Sequence, residues 1–583
     1  MLNKIISVIM SYVMSITGLA YNSFNGMMDS LSELVFGLPY SAQAVKDDFL
    51  SSIGSDDVEP IDGETGFVND KIAVFVNSGA SFREKLALFN SCGGRVVGWS
   101  TPADLYVIDY PEMTYAAVEA KCKALALNEA VELAIPVTAS KLDLDKTPSD
   151  DFNYSNVYAQ WDELQPEGRN WWLEAIDARQ AWDYSEYFSK INIGIIDSGF
   201  DTDHPELSGK IRFPDEKSAN RNRQDYHGCH VAGIIGAHHN GAGIAGICEN
   251  SDLICVDWDP EFPQLWIPDL EIYFGFSRVV EAGAKVVNLS LGTSASKFSN
   301  SSTVFERLIT PAAYSYVMSS LLAKGYDFVV VQSAGNGDIN GNPIDAANNG
   351  CFTIINEDNV FTGSNNVSPE DIVNRIIVVA SVGFRENSRF VQSSYTNVGE
   401  RVDIAAPGDS VYSLSVDGGY DYLSGTSMAA PIVTAVASLV WSVNPEFTGA
   451  QVKEIVCTST DSVAEINRST PYIYDVKLMD YPLVNAKLSV EEAVRRANPQ
   501  VGTVSGKIIG EADEIIYNGV SHTVFSDGTY SFVAPEGSGN ATVVDRSGET
   551  LGSFVISIVA GETTEAGEYI IETNINTASV DLR

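Results

Sequence analysis

Three short segments rich in small residues, far apart in a 583-residue chain, constrain the fold more than any other feature. Residues 191 to 196 form an apolar run broken only by Asn192 and Gly194, and the run ends in Asp197-Ser198-Gly199. Such a run with a turn behind it reads as a buried strand of a parallel sheet. A polar side chain at the C-terminal end of that strand lies where open α/β sheets place their ligands. Further along, His227-Gly228-Cys229-His230-Val231-Ala232-Gly233 opens a helical pattern whose glycines and alanines permit close packing on a sheet. Ser424-Gly425-Thr426-Ser427-Met428-Ala429-Ala430-Pro431 leads into a second helix, predicted over Ser427 to Val443, with Pro431 tolerated in its first turn. An α/β fold with a parallel sheet follows.

Each segment alone has an ordinary structural explanation. Asp197 can cap the Ser198-Gly199 turn, and Asp201 and Asp203 compete with it as the acid of this region. His227 stands at the head of its helix, but His230 lies one turn on and is the rival base. Ser427 can be a plain N-cap serine, although Gly425 and the neighbouring alanines leave room for a backbone to approach it. A fourth segment, Val329-Val330-Val331-Gln332-Ser333-Ala334-Gly335-Asn336-Gly337, is a buried strand ending in an asparagine between glycines, by default a turn. If Ser427 opens a helix, its backbone N–H and the helix dipole favour a developing negative charge there, and the Asn336 amide can aim at the same point.

Together and in this order, the four segments resemble the subtilases, the subtilisin-like serine endopeptidases. The resemblance extends over roughly residues 160 to 495. It implies that Asp197 orients the imidazole of His227, that His227 takes the proton of Ser427, and that Ser427 attacks the scissile carbonyl. Asn336 would then stabilise the tetrahedral intermediate. Val286-Val287-Asn288-Leu289-Ser290-Leu291-Gly292 is similar to the family strand whose Ser290-Leu291-Gly292 edge pairs with an extended substrate and lines the first specificity pocket. Ala405-Ala406-Pro407-Gly408 matches the family turn upstream of the serine.

Some positions depart from the family. Cys229 replaces the usual threonine, and is expected to pack beneath the site within reach of mercury or bulky thiol reagents. Ile432 replaces a frequent histidine after Pro431. Residues Asp338 to Ile372 form a long insertion, expected to shape the substrate cleft. The chemistry requires no cofactor. For a structural calcium, Glu206 and Asn240 fall at family ligand positions, and the loop Asn240-Gly241-Ala242-Gly243 suits oxygen ligation. The usual proline after this loop is absent, so a surface loop without metal reads equally well.

A chain of this length exceeds one domain. Asp+Glu number 77 against 36 Lys+Arg, a net charge of −41, which argues against nucleic acid and anionic membrane as partners. Residues 1–44 carry Lys4 and the apolar run Ile5 to Leu19, and resemble a secretory signal with cleavage at Ala20 or after Ser41-Ala42-Gln43-Ala44. The chain is therefore expected to be secreted, without stable membrane association, an uncleaved anchor being the lesser reading. The seven cysteines lack paired spacing, which argues against a disulfide framework or a zinc site.

Residues 45–137 alternate strand, helix, strand, strand, helix, strand, a ferredoxin-like order. By the resemblance this unit is an inhibitory prodomain, released by self-cleavage in the linker 138–156. The peptidase domain is expected over 157–497. From 498 to 583, short strand-like runs alternate with Gly, Asn and Asp turns, as in a small all-β sandwich with an accessory role. The expected partners are protein or peptide substrates and the chain's own prodomain. The rival reading from another class is a non-catalytic binding protein on the same fold. An esterase is excluded, since Gly425-Thr426-Ser427-Met428-Ala429 lacks the second glycine of the nucleophile elbow.

Overall fold

The computed structural model describes residues 45–53, 57–61, 65–141, 171–214, 226–257, 266–292, 304–338, 341–385, 389–468, 470, 476–525 and 527–571. The apolar run Ile5 to Leu19, both signal cleavage positions and most of the linker lie outside these residues.

The longer strands of the N-terminal unit are β1 (Thr65–Val76), β2 (Arg95–Ser100), β3 (Leu105–Asp109) and β4 (Val131–Lys141), with the short strands Val45–Lys46 and Val58–Pro60 added to β2 and β1. They pair antiparallel in the spatial order β2-β3-β1-β4. The helices α1 (Phe82–Ser91) and α2 (Tyr115–Leu125) share a core with one face of this sheet. Ser81 and Glu84 close a reciprocal capping box at the start of α1.

In the middle of the chain a sheet is built from β5 (Ile191–Asp197), β6 (Ser251–Asp257), β8 (Val286–Leu289), β9 (Val329–Ser333), β10 (Ile376–Arg385) and β12 (Ile404–Pro407). Their pairings β6-β5-β8-β9-β10-β12 are parallel, and β11 (Arg389–Gln392) adds antiparallel to β10. Continuous Val and Ile runs suit these strands because both faces are covered, with separate apolar cores on either side. On one face lie α3 (His227–Gly236) and α6 (Thr426–Val443); on the other lie α4 (Asp269–Glu281) and α5 (Val304–Ala323). The helix α6 begins at Thr426, one residue before the sequence-based expectation. Among the described residues it is long and apolar enough to cross a membrane, but 94% of it is buried inside the protein. Chain order runs from β5 outward to β6 and then back across to β8, so the C-terminal ends of β5 and β8 flank a topological switch point.

The second core also joins the N-terminal unit to α4 and α5. Phe75 meets Tyr273 and Tyr316 edge-on, and Arg278 forms a two-pronged ion pair with Asp47. The strand β7 (Trp266–Pro268) pairs with the end of β4, so β4 runs on to Lys141 rather than stopping at Ile135. That pairing gives the backbone of Ala139 to Lys141 hydrogen-bond partners, so it stays extended where a free linker was expected.

After α7 (Gly449–Thr458) and α8 (Ala486–Ala497), the C-terminal residues form two small sheets. One joins Val501–Ile509, Thr529–Pro535 and Thr563–Ile570; the other joins Val520–Thr523, Glu514–Tyr517, Gly537–Val544 and Thr550–Ile558. Residues of both sheets share one apolar core around Tyr517, Phe532 and Ile556.

Candidate active site

Asp197 is the last residue of β5, and its side chain is 3% exposed. Its Oδ1 accepts a hydrogen bond from Ser198 N at 2.7 Å and faces His227 Nδ1 at 2.5 Å. A carboxylate against Nδ1 holds the ring proton there and leaves Nε2 basic. The turn after Asp197 also caps the histidine helix: Gly228 N donates to Ser198 O at 2.6 Å and Cys229 N to Gly199 O at 3.0 Å. Two of the helix's four orphan N–H groups are satisfied by the turn that carries the acid, which locks acid and base in register. A side chain at Gly228 would meet Ser198 O and the Phe200 ring at 2.8 Å, so this approach requires glycine.

The rivals separate clearly. His230 is fully buried, and its Nε2 lies against Val411 O at 3.1 Å and Asp421 O at 3.3 Å, inside the core rather than in a cleft. Asp201 accepts from Asp203 N in its own turn. Cys229 is fully buried, its Sγ directed to Ser415 O at 3.8 Å, and burial pushes its thiol up to about 12. A protonated, enclosed thiol is a weak nucleophile at neutral pH.

Ser427 stands in the first turn of α6, after Gly425 in extended conformation. It is bonded reciprocally to the end of β8: Ser427 Oγ donates to Ser290 O at 3.2 Å, and Ser290 Oγ donates to Ser427 O at 2.7 Å. Asn288 steadies Ser290 through Nδ2 at 2.9 Å, and Thr434 Oγ1 donates to Asn288 Oδ1 at 2.9 Å. Asn336 follows β9, and its Oδ1 accepts from both Thr426 N at 2.8 Å and Thr426 Oγ1 at 2.9 Å. With its oxygen tied to the residue before Ser427, the amide is held with its nitrogen on the opposite side.

Asp197, Ser290 and Asn336 thus sit at or just beyond the C-terminal ends of β5, β8 and β9, with His227 and Ser427 brought in on helix N-termini. The orienting role of Thr426 escaped the sequence reading; a hydroxyl directly before a helix-opening serine is the signal that could have found it. A second residue that went unnoticed, Asn349 of the long insertion, lies fully buried against Gly292 and Gly335.

Glu206 and Asn240 also come together. The Glu206 carboxylate, 2% exposed, accepts from Asn240 Nδ2 at 3.2 Å and from Tyr420 OH at 3.1 Å. Gly243 folds over it at φ +61, where a Cβ would lie 2.4 Å from Glu206 Oε1. The described residues show no ion pair to this carboxylate, and hard oxygen donors beside a glycine loop fit a calcium ion. The fit is incomplete, because Asn240 Oδ1 is turned to Ala242 N at 2.9 Å.

Comparison with known proteins places the chain among known relatives. The model of the Subtilase family matches residues 189–475. Thermitase of Thermoactinomyces vulgaris is 32% identical over 283 residues, covering 47% of this chain and 82% of thermitase. Subtilisin NAT of Bacillus subtilis subsp. natto is 25% identical over 387 residues, covering 63% of this chain and 87% of its own. Among solved structures, fervidolysin from Fervidobacterium pennivorans, a keratinolytic enzyme related to subtilisin, matches with a TM-score of 0.52 at 20% identity. That likeness is one of fold, and covers 88% of this chain and 79% of fervidolysin.

Proposed function

Because the chain belongs to the subtilase family and is a serine endopeptidase, we propose that Asp197, His227 and Ser427 are its acid, base and nucleophile. The 2.5 Å contact between His227 Nδ1 and Asp197 Oδ1 is the observation that carries this assignment. Ser427 Oγ leaves Ser290 O, passes its proton to His227 Nε2 and attacks the scissile carbonyl. Asp197 holds the ring and stabilises the imidazolium that forms. The oxyanion is met by the side-chain N–H of Asn336 and the backbone N–H of Ser427. His227 then protonates the leaving amine, and water repeats the sequence on the acyl-enzyme. Substrate enters as an extended strand along Ser290-Leu291-Gly292, so main-chain hydrogen bonds supply much of its affinity.

The same reading makes residues 45–137 a ferredoxin-like prodomain that inhibits the enzyme until self-cleavage in 138–156. Its support is the docking of the unit on α4 and α5. Residues 1–44 serve secretion, and 498–583 form an accessory β-sandwich. Glu206 and Asn240 hold a calcium ion whose role is structural; thermal unfolding that is indifferent to added calcium would remove that assignment.

The test is to purify the chain lacking residues 1–44 beside its Ser427→Ala partner and follow intact mass with time. Loss of a prodomain-sized fragment in the parent alone is expected. If both stay whole, self-processing is wrong. Peptide digestion after mild treatment with another protease would then show whether Ser427 is the nucleophile.

A further inference from the structure

Beside Ser427 two segments leave adjacent, paired strands, Ser290 to Gly292 after β8 and Ser333 to Gly335 at the end of β9. A substrate strand laid along the first, with its scissile carbonyl between Ser427 and Asn336, sends alternate side chains to opposite faces. On that reading the side chain on the N-terminal side of the scissile bond is directed toward these two segments. The walls are cross-linked at the far end: Gln332 Nε2 donates to Leu291 O at 3.3 Å, and Ser333 Oγ to the same oxygen at 3.4 Å.

Between these walls lies the carboxamide of Asn349, contributed by the insertion. A Cβ on Gly292 would come 2.3 Å from Asn349 Nδ2, and a Cβ on Gly335 would come 2.2 Å from Asn349 Oδ1. Both walls are glycine where they touch it, and no larger residue could stand there with Asn349 in place. Asn349 is fully buried, and its Nδ2 donates to Ser333 O at 3.3 Å. Its backbone is bracketed as well. Asn349 N donates to Ala346 O at 3.0 Å, Gln332 Oε1 accepts from Phe352 N at 2.8 Å, and Gln332 Nε2 donates to Gly350 O at 3.4 Å.

We propose that Asn349 is the floor of the first specificity pocket and restricts it to short side chains, glycine, alanine or serine, excluding leucine and phenylalanine. This rests on the reading of Ser427 as nucleophile and of Ser290 to Gly292 as the substrate edge. A rigid amide wedged between two glycine walls removes the depth that a long side chain would fill. The amide is enclosed and bonded to Ser333 O, so it cannot give way to a longer side chain.

The test uses the matured enzyme on peptides identical except for the residue before the scissile bond: alanine, serine, leucine or phenylalanine. The parent is expected to favour alanine over phenylalanine by at least about tenfold in kcat/KM, the scale at which pocket depth discriminates. Asn349→Ala should reduce that ratio by about tenfold through a gain on phenylalanine and leucine. The milder Asn349→Ser should shift it the same way by less. Two substrates compared in one preparation give a ratio that does not depend on how much of a variant folds. A parent that prefers phenylalanine or leucine, or a ratio unmoved in both variants, overturns the proposal. If no peptide is cut and Ser427→Ala gives the same blank, the nucleophile assignment fails and this inference falls with it.

Discussion

Asn336 shows how much one side chain depends on its neighbour. Its oxygen accepts two hydrogen bonds from Thr426, the residue directly before the proposed nucleophile. The amide therefore cannot turn without breaking contacts at the start of α6. Asn336→Ala is expected to lower kcat by about 10²–10³ with little change in KM, because the lost N–H acts on the transition state and not on bound substrate. Steady-state kinetics on one peptide checks this, and near-normal kcat would remove Asn336 from the oxyanion site. At this scale the sequence was informative about Asp197, His227, Asn336 and Ser427, since each lies at the end of a strand pattern or the head of a helix pattern. It left His227 and His230 as rivals, because both sit on the same helix and only tertiary contacts separate them, His227 facing Asp197 and His230 buried against Val411 O and Asp421 O. It also anticipated that Cys229 packs inward. The structure encloses that thiol fully.

Among elements, the strands of the central sheet were legible as apolar runs, and the two helices that bring in His227 and Ser427 were legible from their small residues. Their close packing has a visible cause: at Gly233, one turn before the end of α3, a Cβ would come 2.5 Å from Ser413 Oγ and Leu414 Cγ. Period and residue size are local properties, so a short window carries them. Where β4 ends was not legible, because its last residues are held extended between Thr65 to Phe67 of β1 on one side and β7, more than a hundred positions away, on the other. The insertion was visible as extra length, yet nothing in Asn348-Asn349-Gly350 announces that Asn349 folds back between Gly292 and Gly335.

Over the whole molecule, the C-terminal sheets are joined to the rest through a buried polar junction. Asp183 accepts from Thr523 N at 3.1 Å and Thr523 Oγ1 at 3.3 Å, while Tyr184 OH donates to Glu491 at 2.6 Å and accepts from Val533 N at 2.9 Å. The His522 ring stacks on Phe532 with centroids 4.0 Å apart. Burial raises the Asp183 carboxyl to about 7, and burial depresses His522 to about 4. The two act in opposite directions. The folded state holds the Asp183 proton more tightly than the unfolded chain, so ionisation costs stability, from little near pH 4 to the full amount above pH 7. His522 resists protonation when folded, so its cost grows as pH falls from about 6.5 toward 4. Asp183→Asn, which keeps an acceptor for Thr523 and removes the charge, should raise Tm at pH 8 and leave it nearly unchanged at pH 4. Equal Tm values for variant and parent at pH 8, by calorimetry, would refute this account. The sequence by itself determined the α/β character of the central domain, the order of its chemical groups and the family, because those reside in short periodic segments whose physics is local. Only the tertiary structure decided which histidine faces the acid, what surrounds Glu206, where the insertion's asparagine comes to rest and how the outer units dock. Each of those depends on contacts between residues far apart in the chain, whose energies no single stretch of sequence contains.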